Sequence, residues 1–198
     1  MLPDHLGTRH VEVLDALEQI FLTEGVRAVT IGELASRIKC SRSTLYEIAP
    51  TKRELFHDVL LRWSTRAIEK AKSTAERYDH PLECLFATQK AMIEGVRLES
   101  GAFLADVQAD PVARDLLDSH LKRQNDLICS IFQRGVSRGI FRDFSQQFIA
   151  DLFITLVRHY QDPELQKKLR MSTLEAYTEL QSLIIDGLIS RSGPRSPD

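Results

Sequence analysis

Apolar residues recur along this chain at spacings of three and four, with no convincing run of strict alternation, so the pattern predicts helices from end to end. The first runs from about Thr8 to Glu24, with Val13, Leu14, Leu17, Ile20 and Phe21 on one face and Gly25 as its stop. The stretch Thr30 to Leu55, TIGELASRIKCSRSTLYEIAPTKREL, reads as two short helices joined by a tight turn, with a longer helix starting at once after them. Thr30 with Glu33, and Thr51 with Glu54, fit the S/T-x-x-E capping box, in which side chains satisfy orphan backbone donors. Ser41 supplies a third N-cap hydroxyl. Before each cap stands an apolar residue with a partner at the fourth helical position: Val29 with Leu34, Cys40 with Leu45, Pro50 with Leu55. Such staples set the angle at which the chain joins a helix. Two helices at a fixed angle, the second short and polar outside, form a helix-turn-helix, which points to DNA.

The fourth predicted helix continues from Thr51 to about Tyr78, with Leu55, Val59, Trp63 and Ile68 as buried candidates, until Asp79-His80-Pro81 breaks it. A fifth starts at Pro81 and ends near Ser100-Gly101, burying Leu82, Leu85, Phe86, Met92, Ile93 and Val96. A short helix with Phe103, Leu104 and Val107 precedes Asp110-Pro111, which opens a seventh helix running to about Arg138 before Gly139. An eighth, Ser145 to Gln161, has a broad apolar surface and is closed by Asp162-Pro163; a ninth spans about Ser172 to Ile189. The pattern divides into a DNA-reading head, residues 1–50, a helical body, 51–190, and a Ser- and Pro-rich tail, 191–198, expected to be disordered.

Composition narrows the class. The 198 residues suffice for a sizeable core, and 43% hydrophobic with 27% charged residues is ordinary for a globular protein. No run approaches the ~18 apolar residues a membrane helix needs, and the N-terminus lacks the apolar stretch of a secretory signal. Cys40, Cys84 and Cys129 are odd in number and widely spaced, which argues for free thiols in a reducing, cytoplasmic setting. The net charge of -2 does not suggest a nucleic-acid binder. Between Arg37 and Arg53, however, Arg37, Lys39, Arg42, Lys52 and Arg53 face a single acid, Glu47, a local footprint for phosphates. A solvated charged surface is the plainer reading of such a cluster, and its place around one short polar helix decides against it.

The run from Val13 to Phe56 resembles the N-terminal signature of the TetR (tetracycline-repressor-type) family of transcriptional regulators. Phe21 and Gly25 close the first helix, Thr30 opens the second, and Leu34-Ala35 fill its middle. Thr44-Leu45-Tyr46 and Lys52 with Leu55-Phe56 complete the match. The resemblance implies an all-α fold of about nine helices: a three-helix helix-turn-helix head and a C-terminal ligand-binding and dimerisation bundle. It implies a homodimer that represses from a palindromic double-stranded operator and is released by a small-molecule effector.

Carried over by position, Arg42, Ser43, Thr44 and Tyr46 would face the major groove, with Thr30 and Lys52 on phosphates. The chemistry is compatible: an arginine can donate two bonds to guanine O6 and N7, worth about 1–3 kcal/mol of discrimination. A tyrosine hydroxyl suits a phosphate oxygen, and Lys52 lies near the positive end of the following helix. The chain departs from the family at Lys39, where glycine is common, at Glu47, and at Ile48-Ala49, where an aromatic pair is common. A side chain in a left-handed turn costs on the order of 1–2 kcal/mol, which argues for a slightly different turn at Lys39.

The eighth and ninth predicted helices would pair with their copies in the dimer, although such breadth also suits a central buried helix. An effector pocket, as the resemblance implies, would lie between the fifth, seventh and eighth, with Phe86, Met92, Phe103, Leu121, Phe153 and Tyr160 as candidate lining; ordinary core is the stronger reading of each. The apolar bias suggests an apolar or amphipathic effector. His120 and His159 lack metal-site spacing, and Cys84 and Cys129 read as core, so no metal or cofactor is expected. No phosphate loop, nucleophile elbow or HExxH motif supports an enzyme. The remaining alternative is a helical adaptor that binds protein and not DNA.

Overall fold

Wherever the chain is described, the three-and-four spacing becomes helix. The structure, a computed structural model, describes residues 8–96, 99–143, 145, 148, 149, 152, 155, 159, 160 and 162–188. Its helices are α1 (Thr8–Glu24), α2 (Ile31–Ile38), α3 (Arg42–Ile48), α4 (Lys52–Ala75), α5 (Pro81–Val96), α6 (Gly101–Ala109), α7 (Pro111–Ser137), α8 (Pro163–Leu169) and α9 (Thr173–Leu188). The described positions 148, 149, 152, 155, 159 and 160 are helical too, within the span predicted for the eighth helix. Phe153, much of that span and residues 189–198, which include the predicted tail, lie outside the described residues. No described helix is long and apolar enough to cross a membrane.

Three expectations are adjusted. α4 stops at Ala75: the Glu76 amide still bonds four residues back to Lys72, but those of Arg77 and Tyr78 bond back three, to Thr74 and Ala75, and tighten the turn. α5 ends at Val96, short of Ser100-Gly101. Asp162-Pro163 does more than stop a helix: it starts α8, with Asp162 Oδ1 accepting the Glu164 N–H at 2.9 Å. Arg170, at φ 52°, ends that helix, and Ser172 with Glu175 forms a capping box for α9.

The chain forms two compact units, the first from residues up to Ile68 with Gly95–Leu121, the second from Glu69–Glu94 and the chain from Lys122 onward. In the first, Val13, Leu14, Leu17 and Phe21 of α1, Leu34 of α2, Leu45 of α3, and Leu55, Phe56 and Trp63 of α4 are all buried. An aromatic series runs through it: Phe21 to Phe56 at 5.8 Å, Phe56 to Phe103 at 6.2 Å, Phe103 to Trp63 at 6.3 Å, and Trp63 to His120 at 4.7 Å between ring centroids. Arg62, bonded to Asp15 at 2.7 Å and Glu18 at 3.3 Å, ties α4 to α1. Burial pushes the Glu18 carboxyl up, against the opposing pull of Arg66 and Arg62.

The second unit packs Ala75, Cys84, Leu85, Ile131, Phe132 and Phe141 into one cluster, with Leu127, Ile128 and Val136 beside it. Phe141 lies so close to α7 that a Cβ on Gly135 would run into its ring. Cys84 is a core residue, as expected, and Cys129 is half-buried, its thiol pushed up by burial and by Asp126.

Candidate nucleic-acid interface

The head is built from its caps. Thr30 Oγ1 accepts the Glu33 N–H at 3.2 Å while Glu33 Oε2 accepts the Thr30 N–H at 2.7 Å and its hydroxyl at 2.8 Å. That is a complete capping box, and these bonds draw the Glu33 carboxyl down. Ser41 Oγ accepts the Thr44 N–H at 3.0 Å and opens α3. Val29, Leu34 and Leu45 are buried and Cys40 is half-buried, as two of the staples require; Pro50 is exposed.

Lys39 does adopt the left-handed conformation, at φ 57° and ψ 48°. The different turn expected there is not formed. Two features offset the strain: Cys40 N–H closes onto the Ala35 carbonyl at 3.0 Å, and Arg9 of α1 donates to the Lys39 carbonyl at 2.8 Å. Arg9 carries no local signal in the sequence, because the carbonyl it meets lies thirty residues on.

α3 presents its groups unequally. Leu45 is wholly buried, and Arg42, Ser43, Tyr46 and Glu47 are exposed, with Tyr46 keeping 51% of its surface. The Ser43 and Thr44 hydroxyls turn back to Ser41 Oγ, at 2.6 and 2.9 Å. Arg42 and Lys39 have no side-chain hydrogen bond or ion pair among the described residues. The other basic residues are engaged: Arg37 with Glu24 at 2.8 Å, and Arg53 with Asp110 at 2.7 Å. Lys52 departs furthest from expectation. Its ammonium donates to the carbonyls of Val29 at 2.7 Å and Val26 at 3.0 Å, so it fastens the α1–α2 turn where a phosphate clamp was expected.

That turn is held from the other side by Asp106 of α6. Its carboxylate accepts the Val26 N–H at 2.6 Å, the Arg27 N–H at 3.0 Å and the Arg27 guanidinium. Gly25, at φ +81°, admits the contact, since a Cβ there would meet Asp106 Oδ2 at 2.6 Å. Asp110 caps α7 through the Val112 N–H at 2.9 Å and also receives Arg53 and His57. The Arg53 hydrogen bond chiefly holds its carboxyl far below the usual carboxylate range, with His57 and the Ala113 N–H adding to it against burial.

A cavity of about 300 Å³ opens beside this junction, lined by Val26, Arg27, Lys52, Arg53, Phe56, Asp106, Ala109 and Asp110. None of the described effector candidates, Phe86, Met92, Phe103, Leu121 and Tyr160, lines it. Phe103 is committed to the aromatic series of the first unit, which also holds the buried Leu121. In the second unit Met92 is buried, Tyr160 half-buried, and Phe86 exposed at 47%.

Residues 13–59 match the family model described as bacterial regulatory proteins, tetR family. The head therefore carries a DNA-binding segment of the tetR-family type. The chain is 24% identical over 168 residues to the HTH-type transcriptional repressor KstR2 of Mycolicibacterium smegmatis, covering 80% of itself and 82% of that protein. Its fold is similar to a transcriptional regulator of Saccharomonospora viridis solved with choline, at TM-score 0.76, 19% identity, 94% of this chain and 100% of the other. It is also similar to the ketosteroid regulator KstR2 of Mycobacterium tuberculosis, at TM-score 0.57, 17% identity, 96% and 100% coverage. The chain is therefore a DNA-binding transcriptional regulator with a helix-turn-helix head and a helical C-terminal part.

Proposed function

We propose that this regulator is a cytoplasmic, non-enzymatic repressor that binds a palindromic operator as a homodimer and releases it when a small molecule binds. In this reading residues 1–50 read the DNA and residues 51–190 carry the effector and dimer functions, with the eighth and ninth predicted helices, 145–161 and 172–189, forming the dimer contact. The observation that carries the reading is α3: Tyr46 and Arg42 stand exposed on a short helix whose start is fixed by Ser41 and whose inner face is fixed by Leu45. Arg42 and Tyr46 are the main groove contacts; Ser43, Thr44 and Thr30, with hydroxyls tied to neighbouring side chains, contribute through backbone placement and shape. Two such heads on a two-fold site link half-sites about one helical turn apart.

The effector is a small apolar or amphipathic molecule. Thr88 on α5 is fully buried and its hydroxyl has no hydrogen-bond partner among the described residues, one turn before the buried Met92. A polar atom on an otherwise apolar ligand would satisfy it. Among the proteins of similar fold, one is a ketosteroid regulator and another was solved with choline.

The test is fluorescence anisotropy of the purified chain against labelled DNA from upstream of its own gene, with a salt titration. Saturable binding that resists competitor DNA and weakens steeply with salt supports the reading. Binding by an Arg42→Glu variant equal to the parent would remove α3 from the interface.

A further inference from the structure

Gly32 is the second residue of α2 and sits beneath Arg42, the first residue of α3. A Cβ on Gly32 would lie 2.7 Å from Arg42 Nη2, 3.3 Å from Cζ and 3.4 Å from Nε. All three contacts are guanidinium atoms, so the group rests on the bare Cα of Gly32. The backbone does not require glycine there, because the positive-φ glycines among the described residues are Gly25 and Gly139. Glycine within a helix is a poor former, so the residue is disfavoured by local conformation and accounted for by the space it leaves.

We propose that Gly32 is a positioning residue for operator reading: it forms a seat that holds the Arg42 guanidinium before DNA arrives. This rests on the reading that Arg42 contacts DNA. A free arginine has many rotamers, and binding must immobilise one of them. A guanidinium already seated against α2 loses less freedom and presents its planar donor fork in one orientation, which favours a base offering two acceptors. A methyl group on Gly32 unseats the guanidinium and leaves the helix intact.

The experiment compares Gly32→Ala, Arg42→Ala and the double variant with the parent, all as full chains. The probe is the duplex that the parent selects from a random double-stranded pool; affinity is read by anisotropy and folding by thermal melting. Gly32→Ala is expected to weaken binding by about three- to tenfold, the scale of one immobilised side chain, with Tm unchanged or raised because alanine favours helix. Added to Arg42→Ala, it is expected to have no further effect. If Arg42→Ala binds as the parent does, the groove reading fails and this proposal with it. If Arg42→Ala weakens binding while Gly32→Ala does not, the seat is overturned and the groove reading stands. Equal losses from Gly32→Ala with and without Arg42 would also overturn the seat, since the glycine would then act through the fold.

Discussion

Asp106 of α6 accepts the buried Val26 N–H at 2.6 Å, across eighty residues of sequence, and so closes the turn that follows α1. The same carboxylate takes the Arg27 N–H, and the Ser100 N–H reaches the Leu22 carbonyl at 2.8 Å beside it. The head's first turn is therefore completed by α6. Asp106→Ala leaves the buried Val26 N–H and the partly buried Arg27 N–H without their acceptor and is expected to destabilise the chain by about 2–4 kcal/mol in urea unfolding. Asp106→Asn, which keeps one acceptor, should cost less. Equal losses from the two would show that charge, not the acceptor, matters.

Lys52 makes a second prediction. With its ammonium on the Val26 and Val29 carbonyls, Lys52→Met should lower stability by about 1–3 kcal/mol in the absence of any DNA. A variant that unfolds at the parent's denaturant midpoint, yet shows a shallower salt dependence of DNA binding, would return Lys52 to the phosphates.

Lys39 pays for its left-handed backbone in strain, and glycine there would relieve it. Lys39→Gly is expected to raise stability by about 1 kcal/mol, the relief being partly offset by the greater freedom of unfolded glycine. Thermal melting reads the gain. A lowered Tm would mean that the side chain makes contacts worth more than the strain.

Asp110 gives the pH dependence. Its folded carboxyl lies below its ordinary value of 3.8, so the folded state releases this proton more readily than the unfolded state. The stability it contributes is fully present above about pH 4 and is lost as pH falls from there through the lowered value. Asp110→Asn keeps an α7 cap but not the charge that Arg53 and His57 meet. Melting curves between neutral pH and about pH 3 should therefore fall less steeply for the variant than for the parent. Parallel curves would sink the linkage.

Gly135 tests the second unit. Alanine improves helix propensity but drives a methyl into the Phe141 ring, so Gly135→Ala is expected to cost about 1–3 kcal/mol through overpacking. A gain in stability would show that Phe141 moves aside freely.

What could be read without coordinates was local. Each cap bond at Thr30, Ser41 and Thr51 joins residues three apart, and the apolar spacing repeats within one or two turns, so helix starts and buried faces follow from the residues themselves. The helix-turn-helix and the family were legible for the same reason, since both reside in one continuous run ending near residue 59. The roles of the charges were not. Arg37, Lys52 and Arg53 look alike in sequence, yet one pairs with Glu24, one serves backbone carbonyls and one meets Asp110, fifty-seven residues away. Arg9, Asp106 and Gly32 carried no signal, because each acts on a partner brought near only by folding. Periodicity likewise marked Phe103 and Phe86 as equivalent apolar positions, whereas packing buried the first among Phe56 and Trp63 and left the second exposed. The sequence alone determined where helices begin, which faces are apolar and to which family the head belongs, since those depend on spacings within a few turns. Only the tertiary structure decided which charges are left for DNA, because an ion pair or a carbonyl latch depends on distance in space and not along the chain.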